Sequence, residues 1–294
     1  MLNILVTGSN GQLGNEIRKI AGSFEAYRFM FTDVEELDIT DANAVDEFLQ
    51  QNPIDCIINA AAYTAVDKAE EEPDVANLIN GKAVGILAKA AKKAKALLVH
   101  ISTDYVFDGS SSQPIKEDEE ANPVSAYAAS KHLGEQMVLE ACATAVIVRT
   151  SWLYSSFGKN FVTSMIKYGR ERDVLNVVYD QVSAPTWAAD LASAILHLIP
   201  AWLKLDKPEI YHYSNEGVAS WYDFTLAIHE MAGISCRVNA IETKDYPLPA
   251  KRPFYSLMAK DKIKKACNLD IPYWRESLRK CVEQILQDED KTIK

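Results

Sequence analysis

A glycine-rich turn near the start of the chain constrains the fold more than any other feature. It has the sequence G-S-N-G-Q-L-G at residues 8–14, directly after an apolar run and at the start of a helix-like stretch. Glycine permits a tight turn and lets backbone N–H groups approach a pyrophosphate, and the helix N-terminus adds partial positive charge. A turn placed between strand and helix in this way indicates a dinucleotide-binding site. We predict that the cofactor is held by Gly8, Asn10, Gly11, Gln12, Leu13 and Gly14.

Apolar runs of strand length alternate with helix-like stretches through the first half of the chain. We predict strands at residues 4–6, 27–32, 56–58, 97–101 and 145–149, and helices at residues 12–21, 42–51, 74–96 and 126–143. Continuous apolar strands between helices are typical of a parallel sheet covered on both faces. The predicted fold class is therefore α/β, with a Rossmann-type doubly wound parallel sheet whose ligands bind beyond the strand carboxyl ends.

The rhythm of the sequence changes after residue 150, where Trp, Tyr, Pro and Asn become frequent. Residues 245–253, D-Y-P-L-P-A-K-R-P, are predicted to form a loop. We predict a dinucleotide-binding domain at residues 1–150, with residues 176–205 packing back on it. Residues 151–175 and 206–294 are predicted to form a smaller substrate-binding lobe over the carboxyl edge of the sheet.

Composition and charge exclude several classes of partner. No apolar run reaches the length of about 18 residues that a membrane span needs, and the first residues resemble a strand more than a signal peptide. Five dispersed cysteines without a C-x-x-C pair favour reduced thiols, so we expect a cytoplasmic protein. They are Cys56, Cys142, Cys236, Cys267 and Cys281. With a net charge of -10, binding to nucleic acid is not expected.

Asp33 lies directly after the second predicted strand. An acid at this position can bind the 2′-hydroxyl of the adenosine ribose and would repel a 2′-phosphate, which favours NADH. Asp33 could instead be an ordinary acid of a surface turn, so NADPH and NADH both remain possible cofactors.

Tyr127 and Lys131 are the candidate catalytic pair. Residues four apart on a helix share a face, so the phenol and the ammonium can converge. A neighbouring cation lowers the pKa of a phenol, and so does the positive ring of an oxidised nicotinamide. Thr103, at the end of the fourth predicted strand, can share the carbonyl oxygen with Tyr127. Hydride from the cofactor, a proton from Tyr127 and polarisation by Thr103 would together reduce a carbonyl.

Further segments turn this pair into part of a larger pattern. They are L-D-I-T-D at residues 37–41, N-A-A-A-Y-T-A-V-D-K-A-E at 59–70, S-T-D-Y-V-F-D-G at 102–109, R-T-S-W-L-Y at 149–154, D-Q at 180–181, A-P-T at 184–186 and K-R-P at 251–253. With these segments and its G-x-x-G-x-x-G turn, the chain resembles the extended short-chain dehydrogenases, and within them the branch that reduces dTDP-4-keto sugars.

The resemblance implies an activity and a set of site residues. The implied reaction converts dTDP-4-dehydro-6-deoxy-L-mannose to dTDP-L-rhamnose with NAD(P)H. The resemblance assigns proton donation to Tyr127 and orientation of the nicotinamide ribose to Lys131. It places four residues at the sugar, namely Thr103, Asp104, Tyr105 and Trp152. It adds further cofactor contacts at Asp33, Asp38, Ile39, Ala60, Ala61, Ala62, Tyr63 and Thr64.

Two departures from the family bear on the nucleotide contacts and on metal binding. The family often continues R-P with Asn and Ser, whereas this chain has P-F-Y-S-L at residues 253–257. Some members dimerise through Mg²⁺ held by glutamates. Glu16 matches one such position, but Asp190 stands where another Glu would lie. We therefore expect that Mg²⁺ is not obligatory, while a homodimer remains possible.

Other activities within the same family are weighed against this one. Dehydratases need an acid pair after the Thr, and Tyr105 occupies the position of the Glu. Enzymes that epimerise GDP-sugars rely on a Cys and a His, and no Cys lies between Cys56 and Cys142. Reduction of another NDP-4-keto sugar stays open. So does a non-catalytic role like that of the nicotinamide-nucleotide-binding regulatory subunit of methionine adenosyltransferase.

Overall fold

Twelve strands and eleven helices occur in the part of the chain that the computed structural model describes, residues 1–141 and 144–293. The strands are β1 (Leu2–Thr7), β2 (Tyr27–Thr32), β3 (Cys56–Asn59), β4 (Leu97–Thr103), β5 (Ala145–Thr150), β6 (Leu153–Tyr154), β7 (Val174–Val178), β8 (Val182–Ser183), β9 (Thr186–Trp187), β10 (Glu209–His212), β11 (Ala219–Ser220) and β12 (Arg237–Ile241). The helices are α1 (Gln12–Ile20), α2 (Ala42–Gln51), α3 (Lys68–Glu71), α4 (Pro73–Asn77), α5 (Ala83–Ala94), α6 (Ala126–Ala141), α7 (Phe161–Glu171), α8 (Ala188–Trp202), α9 (Trp221–Ala232), α10 (Asp261–Cys267) and α11 (Trp274–Ile293).

The central sheet has six strands in the order β10-β5-β4-β3-β1-β2, and all neighbouring pairs are parallel. The chain runs outward from β1 to β2 and then returns to β3 on the other side of β1. This reversal opens a crevice between the carboxyl ends of β1 and β3, where doubly wound sheets bind their ligands. The Rossmann-type fold predicted from the sequence is confirmed.

Alternate residues of the strands enter two apolar cores. Ile4 and Val6 face the side that α1 and α8 cover, whereas Leu5 faces the side that α2, α5 and α6 cover. All three side chains are fully buried. Burial of each such side chain contributes about 1.5–3 kcal/mol, so the two cores hold the carboxyl edge of the sheet as a rigid platform.

Most predicted elements of the first half have the expected positions, but one helix differs. Strand β2 and helix α2 have the predicted bounds. The single helix predicted at residues 74–96 is interrupted by a π-helical turn, Leu78–Lys82, and ends before Lys95, whose φ is 57°. The turn lies where α6 approaches most closely, since a Cβ added at Gly134 would lie 2.2 Å from the carbonyl oxygen of Asn80. The last two residues of the predicted helix 126–143 lie outside the described residues.

The C-terminal half forms a third apolar core between α7, α9 and α11, with Ile166, Phe224 and Leu278 among its buried members. Two capping boxes fix the starts of its helices, with Asn160 at the start of α7 and Ser220 at the start of α9. No helix in the described parts of the chain is both long and apolar enough to cross a bilayer. The division of the chain into two lobes stays a prediction.

Candidate active site

The predicted glycine turn lies at the reversal of the sheet. Gly8 has φ +64°, and a Cβ added there would lie 2.5 Å from the backbone of Ala61, in the loop that follows β3. A Cβ at Gly14 would lie equally close to the backbone of Ser9. Both glycines are therefore required by close backbone approach. We call the space bounded by residues 8–14, Asp33 and residues 60–64 the crevice.

The crevice fits a dinucleotide cofactor. Helix α1 begins after Gly11, and no side chain caps its N-terminus. The first N–H groups of a helix have no partner within the helix, so they are free to bind phosphate oxygens. The Oε1 atom of Gln12 is buried and has no hydrogen-bond partner, which is costly unless a ligand supplies one. Leu13 is buried beneath the turn and contributes to the core.

Asp33 lies beside the turn, as its sequence position predicts. Its carboxylate accepts hydrogen bonds from the backbone N–H groups of Asn10, at 3.0 Å, and Val34, at 2.9 Å. Further along, Asp38 is exposed and accepts hydrogen bonds from Thr40, whereas Ile39 is buried in the core. The carboxylate of Asp33 is therefore oriented toward the crevice, while contacts of Asp38 and Ile39 with adenine stay predictions.

The loop after β3 is anchored by Asn80, a residue that no motif in the sequence indicates. The Asn80 side chain accepts a hydrogen bond from the Tyr63 N–H at 2.8 Å and donates to the Tyr63 carbonyl at 2.9 Å. It also donates to the Ser130 Oγ, within the helix that carries Tyr127. Asn80 thus ties the Ala60–Ala61–Ala62 side of the crevice to α6. Thr64, which follows Tyr63 in this loop, is exposed. Asn80 lies on the π-helical turn, and no local sequence pattern marks it as a residue of the site.

Thr103, Tyr127 and Lys131 meet at the carboxyl end of β4. Tyr127 is hydrogen-bonded to Thr103, and the Lys131 Nζ donates to the carbonyl oxygen of Ile101 at 2.6 Å. Burial raises the pKa of Tyr127 to about 12, and the hydrogen bond with Thr103 opposes this rise. At neutral pH the phenol is therefore protonated, as a proton donor must be. Burial lowers the pKa of Lys131 to about 8, and the nearby carboxylate of Glu135 opposes that fall.

Asp104 and Tyr105 extend this cluster. Asp104 is buried, accepts a hydrogen bond from the Ser256 Oγ at 2.5 Å, and lies 3.1 Å from the Thr103 Oγ1. Burial raises the pKa of Asp104 to about 7, against the lowering effect of these hydrogen bonds. The Tyr105 ring meets the Tyr127 ring edge-on, with 5.9 Å between centroids. The cluster therefore contains the hydroxyl groups of Thr103, Tyr105 and Tyr127 and the carboxyl group of Asp104, and Ser256 contacts it from outside.

Trp152, which the family resemblance places at the sugar, packs against the C-terminal half of the chain. Its ring stacks on Trp221 with 3.5 Å between centroids, and its φ is +47°. The Trp221 indole N–H donates to the Gln181 side chain at 3.2 Å. Because a positive φ is unfavourable for a bulky residue, surrounding contacts must hold this backbone in place. Contact of Trp152 with a sugar stays a prediction.

A largely apolar cavity of about 560 Å³ adjoins this tryptophan pair. We call it the C-terminal pocket, and it is lined by Phe161, Met165, Asn176, Val177, Val178, Gln181, Trp221, Thr243, Lys244, Tyr246, Pro247, Leu248, Pro249, Ala250, Lys251, Arg252 and Phe254. Its volume and mixed aromatic and amide lining suit a small organic ligand. The predicted loop at residues 245–253 supplies one wall.

Arg252 joins the C-terminal pocket to the loop after β3. Its guanidinium donates to both carboxylate oxygens of Asp67, at 2.9 and 2.7 Å. These hydrogen bonds hold the pKa of Asp67 below its usual value. Bidentate pairs of this kind fix geometry as well as charge, so the pair sets the position of the loop relative to the first half.

Glu16 and Asp190, the two positions compared with the Mg²⁺-binding glutamates of some family members, form hydrogen bonds with other side chains. Glu16 is fully buried and accepts a hydrogen bond from Ser155 at 2.6 Å, and burial raises its pKa. Asp190 accepts hydrogen bonds from Asn215 and Ser277. Within the described residues, no three His, Cys, Asp or Glu side chains are grouped as metal ligands. Four cysteines are free thiols, while Cys142 lies outside the described residues.

The doubly wound sheet, the glycine turn and the Thr–Tyr–Lys cluster define an extended short-chain dehydrogenase. The chain belongs to the family described as RmlD substrate binding domain, whose model matches residues 2–287.

Individual relatives match over nearly their whole length. A dTDP-4-dehydrorhamnose reductase of Aggregatibacter actinomycetemcomitans is 38% identical over 287 residues, covering 95% of this chain and 98% of the relative. The structure of a dTDP-4-dehydrorhamnose reductase from Clostridium acetobutylicum has a TM-score of 0.92 at 41% identity, covering 97% of this chain and 100% of that one. The reductase from Bacillus anthracis, in complex with NADP, has a TM-score of 0.92 at 38% identity over the same shares.

Proposed function

We propose that this protein is an NAD(P)H-dependent reductase that converts dTDP-4-dehydro-6-deoxy-L-mannose to dTDP-L-rhamnose. The observation that carries the proposal is the placement of Tyr127 with Thr103 and Lys131 at the carboxyl end of β4, beside a crevice suited to a dinucleotide. Relatives named for this activity, at 38–41% identity over nearly the full chain, support the choice of substrate.

The chemistry divides between Tyr127 and its two neighbours. NAD(P)H, when bound, supplies hydride to the keto carbon. Tyr127 donates its proton to the keto oxygen, and the Thr103 hydroxyl polarises that oxygen by turning its single proton from Asp104 to the substrate. Lys131 is fixed on the Ile101 carbonyl, so its remaining N–H groups can bind the ribose and stabilise the phenolate that proton donation leaves behind.

Asp104 and Tyr105 explain why the site favours reduction alone. Removal of water from a sugar needs a second acid next to the Thr, and the aromatic ring of Tyr105 occupies that position. Asp104 is enclosed by Thr103 and Ser256, with its carboxylate engaged by both. We infer that Asp104 orients Thr103 and binds a sugar hydroxyl.

The C-terminal pocket would hold the nucleotide part of the substrate. The Trp152–Trp221 stack and the apolar wall at residues 246–249 offer flat surfaces for a base, and the Gln181 side chain offers polar atoms. Arg252 lines the pocket and also interacts with Tyr105 of the cluster, so it is the proposed contact for the diphosphate.

The proposal is tested by following NADPH and NADH oxidation with a panel of NDP-4-keto sugars. We expect turnover to be fastest with dTDP-4-dehydro-6-deoxy-L-mannose. We also expect that the purified protein needs no second protein for this turnover. Faster turnover of another nucleotide sugar would reassign the substrate. Normal cofactor binding without turnover of any keto sugar would favour the regulatory role instead.

We also propose a cytoplasmic location, the two-lobe division predicted from the sequence, and activity without added metal. Activity that persists after dialysis against a chelator would support the last point. The homodimer implied by some relatives is tested by light scattering of the purified protein.

A further inference from the structure

A buried ion pair lies directly behind the candidate catalytic lysine. Glu135 is one helical turn beyond Lys131 on α6, and its two carboxylate oxygens accept hydrogen bonds from the Arg149 Nε, at 2.9 Å, and a terminal guanidinium nitrogen, at 2.7 Å. Lys131, Glu135 and Arg149 are 2%, 1% and 3% exposed. Arg149 projects from β5, so the pair also joins α6 to the sheet.

The charges around Lys131 do not balance locally. On its own helix, Glu135 is the nearby carboxylate and Tyr127 is protonated at neutral pH. On β4, His100 is buried, and burial together with Lys131 lowers its pKa, so it is neutral. Arg149 faces the same carboxylate from β5. Two buried cations therefore lie near one buried carboxylate, with Arg149 hydrogen-bonded to it and Lys131 hydrogen-bonded to the Ile101 carbonyl.

The surroundings of Arg149 add little negative charge. His212 on β10 lies 3.5 Å from its guanidinium, and burial lowers the pKa of His212 to about 3. Glu117 is half-buried; Arg149 contacts its backbone carbonyl at 3.5 Å, and the charge of Arg149 opposes the rise that burial causes in the Glu117 pKa. A carboxylate oxygen of Glu135 also lies 3.5 Å from the Nδ1 of His132, a partly exposed side chain on the same helix. Glu135 is thus the main counter-ion for both Lys131 and Arg149.

We propose that Glu135 and Arg149 are positioning residues for Lys131, with the Glu135 carboxylate keeping Lys131 an ammonium and the Arg149 guanidinium limiting how strongly it does so. This inference rests on the proposed function only for its kinetic readout. It gives the pair a role beyond packing, since the pair would set the upper pH limit at which Lys131 still acts as a cation.

The physical reason lies in the low polarity of the site. A buried ammonium is unfavourable unless a carboxylate lies near, and a second cation on that carboxylate weakens its effect. The pKa of Lys131, lowered to about 8 mainly by burial, is consistent with this partial compensation. Burial alone would raise the pKa of Glu135, but the hydrogen bonds from Arg149 and His132 and the charge of Arg149 together lower it to about 2, so the carboxylate is charged at neutral and alkaline pH.

The test compares two substitutions that break the same ion pair from opposite sides. Glu135→Gln removes the counter-ion of Lys131, so we expect the alkaline fall of kcat/KM to move down by about one pH unit. Arg149→Met leaves Glu135 facing Lys131 alone, so the fall should move up by a similar amount. Damage to the fold would shift both profiles in the same direction or change only their height.

Two further variants serve as controls. Arg170→Met breaks a bidentate pair with Glu289 on the exposed surface and should leave the profile unmoved. The double variant Glu135→Gln/Arg149→Met removes both charges of the ion pair together, a change that proteins often tolerate, and leaves the Lys131 ammonium without its counter-ion. Its alkaline limb should lie between those of the wild type and Glu135→Gln, so it carries the test if a single variant does not fold. A double variant that follows the wild-type profile would overturn the proposal.

A second readout needs neither substrate nor cofactor. In protein labelled with ¹³C at lysine Cε, the resonance absent from Lys131→Arg reports the titration of Lys131 in the free enzyme. Its midpoint should move down in Glu135→Gln and up in Arg149→Met. Midpoints that stay fixed, or move together, would overturn the proposal. If the keto sugar is not a substrate but the midpoints move apart, the proposed function fails and this inference stands.

Discussion

The crevice and the C-terminal pocket are built in opposite ways. The crevice comes from short, contiguous segments, with a glycine at φ +64° and a close backbone contact between Gly8 and Ala61. The C-terminal pocket is assembled from side chains separated by up to 93 residues, between Phe161 and Phe254, and is largely apolar. Under the proposed function, backbone geometry would specify the dinucleotide that many enzymes share, whereas the identity of distant side chains would specify the particular sugar nucleotide.

Hydrogen bonds between residues far apart in the sequence connect the first half of the chain to the segment beside the C-terminal pocket. The Ser256 Oγ donates to Asp104, and Arg252 clamps Asp67. Both acceptors belong to the first half of the chain and both donors to the segment beside the C-terminal pocket. We therefore expect substitutions in the cluster of Thr103, Tyr127 and Lys131 to lower kcat, and substitutions in the crevice or the C-terminal pocket to weaken binding.

The largest effect is expected at the cluster. Tyr127→Phe removes the proton donor and should lower kcat by about 10²–10⁴-fold, while the affinity for NADPH changes little. Steady-state kinetics and a fluorescence titration of NADPH measure the two quantities. Tyr168→Phe, which removes a phenol on α7, serves as control and should retain activity. Full activity of Tyr127→Phe would show that another group donates the proton.

The next effect tests whether backbone geometry specifies the crevice. Gly8→Ala places a Cβ 2.5 Å from the Ala61 backbone at positive φ. We expect a loss of about 1–3 kcal/mol in the free energy of unfolding and about 10–100-fold weaker NADPH binding. Chemical denaturation and fluorescence titration measure these changes. In the matched variant Gly22→Ala, no atom lies within 4 Å of the added Cβ, so neither quantity should fall. Equal behaviour of both variants would contradict the account.

A smaller effect is expected at Asp33, the side chain in the crevice that we propose selects between cofactors. Asp33→Ala removes a carboxylate that would repel a 2′-phosphate and that binds the Asn10 N–H. We expect the ratio of kcat/KM for NADPH to that for NADH to rise about tenfold. Glu35→Gln removes one charge from the same exposed loop and should leave the ratio nearly unchanged. An unchanged ratio in Asp33→Ala would remove this residue from cofactor selection.

The smallest effect is expected in the C-terminal pocket, where many side chains share the binding. Trp221→Phe weakens the stack with Trp152, and aromatic pairs of this kind contribute about 0.5–1.5 kcal/mol. We expect KM for the nucleotide sugar to rise a few-fold, with kcat and NADPH affinity unchanged. A fall in kcat with an unchanged KM would place Trp221 in the chemistry and not in substrate binding.

The same contrast explains what the sequence could predict. The crevice residues, Thr103 and Tyr127 are contiguous with strands and helices whose apolar patterns are clear, and parallel strands bring their carboxyl ends together. Asn80 and Ser256 act through contacts between distant segments, which no local spacing records. Glu135 was accessible in principle, because it lies four residues after Lys131, but its partner Arg149 becomes apparent only when β5 packs under α6.

The most direct test of the account transfers a labelled hydride. The purified protein is incubated with dTDP-4-dehydro-6-deoxy-L-mannose and NADPH deuterated at the transferred position, and the product is examined by NMR. The account predicts dTDP-L-rhamnose with deuterium at C4 of the sugar, and about 10²–10⁴-fold slower formation of this product by Tyr127→Phe. Absence of deuterated product from the wild-type protein, with NADPH bound normally, would contradict it.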